Sequence, residues 1–141
     1  MDKILKIMPI VLYMIVGIIS LVMAFKNLIS NQFLPFHEEV SDKRWNEIDI
    51  SLQLILLTLM RIAGLGFLIT SILLLVFPII NYFIPNKFYK YSIPIVALIY
   101  CFGLFVVNYL LYKHTKANTP WKGSLYAMIV IIVGIIISIL N

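Results

Sequence analysis

Four long apolar runs, separated by short polar stretches, constrain this chain more than any other feature. They extend from about Met8 to Leu28, Ser51 to Ile80, Ser92 to Lys113 and Pro120 to Leu140. Crossing roughly 30 Å of hydrocarbon at about 1.5 Å per residue takes about 20 helical residues, and each run is that long. A β-barrel would show short alternating strands, and these Ile, Leu and Val runs do not alternate. The expected fold is all-α: a polytopic membrane protein, an antiparallel four-transmembrane-helix bundle with a longer loop between helices 1 and 2. At 141 residues the chain has room for a single transmembrane domain, residues 1–141.

Composition points the same way. Hydrophobic residues make up 62% of the chain and charged ones 12%, against about 45–50% and about 25% in ordinary soluble domains. Mean hydropathy is +1.04. Such a chain cannot cover itself with polar groups in water, so membrane lipids are its first expected partners. The net charge of +5 does not point to nucleic acid. The basic residues lie mainly between the apolar runs, where lysine and arginine meet lipid headgroups. The single cysteine, Cys101, excludes an internal disulfide and reads as a small packing residue.

The amino terminus has signal-peptide features: Lys3 and Lys6, an apolar run, then Val22-Met23-Ala24 as a small-residue cleavage site. The run from Ile7 to Phe25 exceeds the usual length of about 7–15 residues, so we read it as a retained first helix. Pro9 and Pro94 are expected in the opening turns of their helices, where a missing N–H is harmless. Thr119 is expected to cap the fourth span.

Each span carries small or polar residues at helical spacing: Gly17, Ser20 and Ala24; Gln53, Gly64 and Ser71; Ala97, Cys101 and Asn108; Ala127, Gly134 and Ser138. In lipid such seams let helices approach closely. Leu74 reads as lying off the seam. Loop 1, Ile29 to Ile50, holds five of the six acids, and its segment Asp42 to Ile50 reads as an interfacial helix with Trp45 and Ile48 turned to the membrane.

An even number of spans puts both termini on one face and loops 1 and 3 on the other. The lysine and arginine tally over all loops favours termini outside. The first helix, with two lysines leading and one trailing, favours termini inside. We take the latter, with the chain in a bacterial inner membrane and both termini in the cytoplasm.

Arg61 is the residue that most invites a function. Counted from the start of its own span it lies roughly 15 Å deep, where a guanidinium is costly. It is expected to face the bundle interior and meet an anion, either a loop 1 carboxylate or a ligand. Glu38 and Glu39 are the nearest acids by topology, with His37, Gln53, Asn108 and Trp121 around the same mouth. These seven residues form the candidate ligand-binding set, and an arginine that snorkels to the interface is the plainer alternative. His37, Glu38, Glu39 and His114 lack the spacing of a strong zinc motif, so no metal is assigned. No histidine within a span can hold haem, no glycine-rich phosphate loop is visible, and no other cofactor is assigned.

The stretch Phe33-Leu34-Pro35-Phe36-His37-Glu38-Glu39, then Trp45, Leu52-Gln53, Leu59-Met60-Arg61, Gly64, Gly66 and Asn118-Thr119-Pro120-Trp121 resembles a family of small uncharacterised bacterial four-helix membrane proteins. The resemblance implies architecture and candidate positions, and no activity. At fold level the chain also looks similar to small membrane isomerases and sterol-binding proteins of the emopamil-binding type, though helix count and spacing differ. Three classes of function stay open: a protein binding a lipid or small anionic ligand at the loop 1/loop 3 face, a membrane-embedded enzyme using His and Glu as acid–base groups, and a transporter or accessory subunit acting as a homo-oligomer. Proton-coupled drug export is disfavoured, because the first span has no acid.

Overall fold

A computed structural model describes residues 2–140, with side chains from Lys6 onward. The helices are α1 (Asp2–Ile29), α2 (Pro35–Ser41), α3 (Ile50–Phe83), α4 (Lys87–Thr115) and α5 (Trp121–Leu140), with a 3-10 turn at Trp45–Glu47. Four of them, α1, α3, α4 and α5, are long and apolar enough to cross a membrane. The chain is an all-α, multi-pass membrane protein. Its long helices pack in the cyclic order α1, α3, α4, α5, with α5 returning to α1.

The glycines give the helix directions. A Cβ on Gly17 would meet Leu75 at 2.8 Å and one on Gly64 would meet Leu28 at 2.9 Å, so α1 and α3 run antiparallel. A Cβ on Gly134 would lie 2.6 Å from the Tyr13 ring, joining α5 to α1. Gly66 sits under Tyr100 of α4, whose hydroxyl donates to the Ala63 carbonyl at 3.2 Å. The centre is small and dry: Tyr13, Val16, Leu74, Ala97, Cys101 and Ile131 cluster there. Isoleucines such as Ile19, Ile62, Ile99 and Ile139 are exposed on the outer surface. In water that would be unstable; in lipid it is the ordinary outside.

The seams read from sequence are largely interior: Gly17, Ser20, Ala24, Gly64, Ser71, Ala97, Cys101, Gly134 and Ser138 are all buried. Leu74, expected off the seam, is fully buried between Gly17 and the core. The loop 1 helix is displaced. It occupies Pro35–Ser41, and the expected helix from Asp42 to Ile50 is reduced to the 3-10 turn. Asp42 takes a left-handed conformation (φ 51°), and its N–H closes α2 on the Glu38 carbonyl. Ile48 is buried and Trp45 sits edge-on to Phe33, so both turn towards the protein.

Helix ends also differ. α1 and α4 begin well before their apolar runs, which places Pro9 and Pro94 inside the helices. The start of α4 is set by Asn86, whose side chain accepts from the Phe88 N–H at 2.8 Å. Thr119 does not cap α5; its hydroxyl donates to the Asn108 carbonyl at 2.9 Å.

Gly103 offers an internal comparison, since a Cβ there meets nothing within 4 Å. Gly64→Leu must displace Leu28 and the Asn27 Cβ, and overpacking of that kind costs about 1–3 kcal/mol. A thermal-unfolding assay in detergent is expected to show a clear loss for Gly64→Leu and none for Gly103→Leu.

Candidate functional site

The face carrying loops 1 and 3 is closed by hydrogen bonds. α2 opens with a reciprocal pair: the His37 N–H donates to the Leu34 carbonyl at 2.8 Å, and the Leu34 N–H donates to His37 Nδ1 at 3.2 Å. The imidazole packs on Phe36 and Phe33. This half-buried setting, by removing water, holds the His37 pKa below its ordinary value of 6.5. Gln53 holds the turn that follows, its Nε2 donating to the carbonyls of Trp45 (2.7 Å) and Ile48 (3.0 Å). Asp49 caps α3 through the Ser51 N–H at 3.0 Å.

Loop 3 is fastened similarly. Thr119 and Ala117 are buried, and Trp121 packs edge-on to Phe105 and Tyr109 and tilted on Tyr112. Asn108 turns its amide back to its own helix, donating to the Leu104 carbonyl at 2.8 Å. One bond joins the two loops: the Asn118 N–H donates to Glu39 Oε1 at 2.9 Å. The shared face of loops 1 and 3 is thereby seen directly.

Of the seven residues singled out by sequence, six lie in or beside this closure, and the side chains of His37, Glu39, Gln53 and Asn108 each bond a backbone group. Glu38 is exposed, and its carbonyl, not its carboxylate, closes α2. Among the described residues no three His, Cys, Asp or Glu side chains gather where they could hold a metal.

Arg61 stands apart, and the expectation that it faces the interior is corrected. It is exposed, about 60° around α3 from Gly64 on the helical wheel, and has no ion pair among the described residues. Its depth was overestimated because it was counted from the start of α3. Gly64 lies against Leu28, and α1 ends one residue later at Ile29, so Arg61 is level with the end of α1. A long side chain there keeps its head near polar groups while its stem lies on apolar surface.

The cavity of the molecule is at the opposite end, where the termini and loop 2 lie. Its volume is about 580 Å³, and all four long helices contribute to its wall. The three prolines that interrupt α1, α3 and α4 all line it: Pro9, Pro78 and Pro94. A proline inside a helix removes one hydrogen bond and pushes on the preceding turn. All three therefore loosen their helices around the same space.

The polar groups of the wall are mostly donors. Lys6 and Lys90 stand on it, Lys90 half-buried with its ammonium over the Tyr91 ring at 5.4 Å. The Asn81 oxygen accepts from the Asn86 N–H at 2.8 Å, which leaves the amide NH₂ to donate. Tyr13 lies at the inner end and is 4% exposed, and its hydroxyl meets no protein partner of normal geometry although Ser138 is beside it. No acid lines the wall among the described residues.

Sequence reading missed this site. Lys90 entered only a charge tally, Lys6 that tally and the signal-peptide comparison, and Tyr13 has no polar neighbour in sequence. The three prolines were the available signal, hidden because two of them were placed in opening turns. Compared with family models, curated proteins and solved structures, the chain finds no significant match, so the functional argument rests on geometry.

Two outcomes follow for the closed face. Arg61→Ala is expected to change unfolding stability by no more than about 0.5 kcal/mol, as for other exposed positions, measured by denaturation in detergent. For His37, a folded-state pKa below the unfolded value means that its contribution is complete above about pH 6.5 and is lost as pH falls below it. Thermal stability of the wild type is expected to drop between pH 7 and pH 5 more than that of His37→Gln.

Proposed function

We propose that this membrane protein binds a small amphipathic molecule drawn from the bilayer, in the cavity at the face of its termini. The observation that carries the reading is the wall of that cavity. Side chains from all four long helices meet there around about 580 Å³, donors prevail, and apolar surface lies alongside. Ligand sites in helical proteins typically occupy about 300–1,000 Å³ and combine an apolar lining with a few convergent polar groups. Tyr13 adds to the case: its buried hydroxyl has Ser138 beside it but no hydrogen bond of normal geometry, and a buried hydroxyl left short of a bond costs about 1–3 kcal/mol.

The loop 1/loop 3 face fits a different role. Its polar residues are occupied in holding the chain's own turns: His37 on Leu34, Gln53 on Trp45 and Ile48, Glu39 on Asn118. A carboxylate and an imidazole committed to neighbouring N–H groups make a poor acid–base pair, so we assign this face to closing the bundle. Arg61, exposed and level with the end of α1, is available to lipid phosphates.

Thermal unfolding in detergent, with and without added membrane lipid extract, tests the reading. Ile93, half-buried on the cavity wall, is replaced by tryptophan to fill the cavity, and Gly103→Trp on the outer surface serves as control. Lipid is expected to raise the unfolding temperature of the wild type and of Gly103→Trp, and to raise that of Ile93→Trp much less. An equal rise in all three would mean that lipid acts on the outer surface and that the cavity is not a binding site.

A further inference from the structure

We infer that the ligand is an anionic phospholipid, held with its headgroup in the cavity and an acyl chain running out between α1 and α3; this rests on the binding reading above and names its chemical class. Two independent observations lead there.

The first is charge. Lys6 and Lys90 reach the cavity from different helices, and neither has an ion pair among the described residues. Five of the chain's six acids lie in loop 1 at the other face. With the Asn81 amide and the tyrosine hydroxyls, the site offers donors and positive charge, and no carboxylate lines it among the described residues. A phosphodiester bearing one negative charge is matched to such a site. A zwitterionic headgroup would bring its ammonium next to two lysines, with no acid to receive it among the described lining residues.

The second is shape. A separate groove of about 290 Å³ is lined by Ile7, Ile10, Ile79 and Tyr82, and nearly all of its surface is apolar. It shares Ile10 and Tyr82 with the cavity, so the two adjoin. Ile7, Ile79 and Tyr82 are exposed on the outer surface of α1 and α3. A headgroup in the cavity therefore has an apolar, outward-facing groove beside it for its chain. A free phosphate or a soluble phosphate ester would leave that groove unused.

Retention of lipid by the full detergent-purified chain, read by native mass spectrometry, tests the inference. Phosphatidylglycerol and phosphatidylcholine with the same acyl chains compete at equal concentration, and unfolding temperatures confirm that each variant is folded. The wild type is expected to favour phosphatidylglycerol by about fivefold for each lysine engaged. Lys6→Gln with Lys90→Gln should bring the two lipids close to parity. Ile79→Trp, which fills the groove, should lower retention of both lipids and leave their ratio unchanged. Glycerol 3-phosphate, a headgroup without chains, should not displace the lipid. Parity in the wild type, or a preference that survives loss of both lysines, overturns the charge selection. Displacement by glycerol 3-phosphate overturns the choice of a lipid. If both lipids are retained equally and both are lost in Ile93→Trp, the cavity remains a binding site and only its selectivity for anions fails.

Discussion

Close approach of helix backbones at a few small residues is the constraint on which this molecule depends. Burying leucine against leucine gains little when the alternative is lipid, so cohesion has to come from contact density. Gly17 against Leu75, Gly64 against Leu28 and Gly134 against the Tyr13 ring provide that contact on both sides of α1. The consequence is a bundle with its small residues inside and its isoleucines outside, the inverse of a water-soluble helical protein. It also explains why a residue as ordinary as Leu74 is fully buried: it fills the space that Gly17 leaves.

The same economy divides the molecule into two unlike ends. At one end the side chains of His37, Glu39, Gln53 and Thr119 are each matched to a backbone group. At the other, prolines interrupt three helices, and Lys6, Asn81 and Lys90 stand on the wall of a cavity. A site for a ligand requires groups that the fold itself does not consume, and only the second end has them.

Much of this architecture could be read from residues alone, for a physical reason. Hydrocarbon permits few backbone conformations, so the four apolar runs leave only the helix, and small residues at helical spacing mark its inner face. The parts that were not legible depend on neighbours. Polar residues at Lys87 to Tyr91 extend α4 beyond its apolar run, and without that extension Pro94 looks harmless at a helix start. The level of Arg61 is set by where α1 stops, which no count along α3 can reveal. Glu39 meets Asn118 across 79 positions of sequence, and nothing local to either residue announces the bond. His37 and Gln53 were placed near the right mouth, but as ligand groups, because sequence shows a polar side chain and not the backbone N–H or carbonyl already waiting for it.

The pattern of chain connections has a mechanical consequence. Loops 1 and 3 tie α1 to α3 and α4 to α5 at the same end, and the Glu39–Asn118 bond ties the two pairs together there. At the far end, among the described residues, one short turn joins α3 to α4. The cross-ties of the bundle are therefore gathered at the end away from the cavity, so the fastening of the chain and the open space in it do not compete for the same groups.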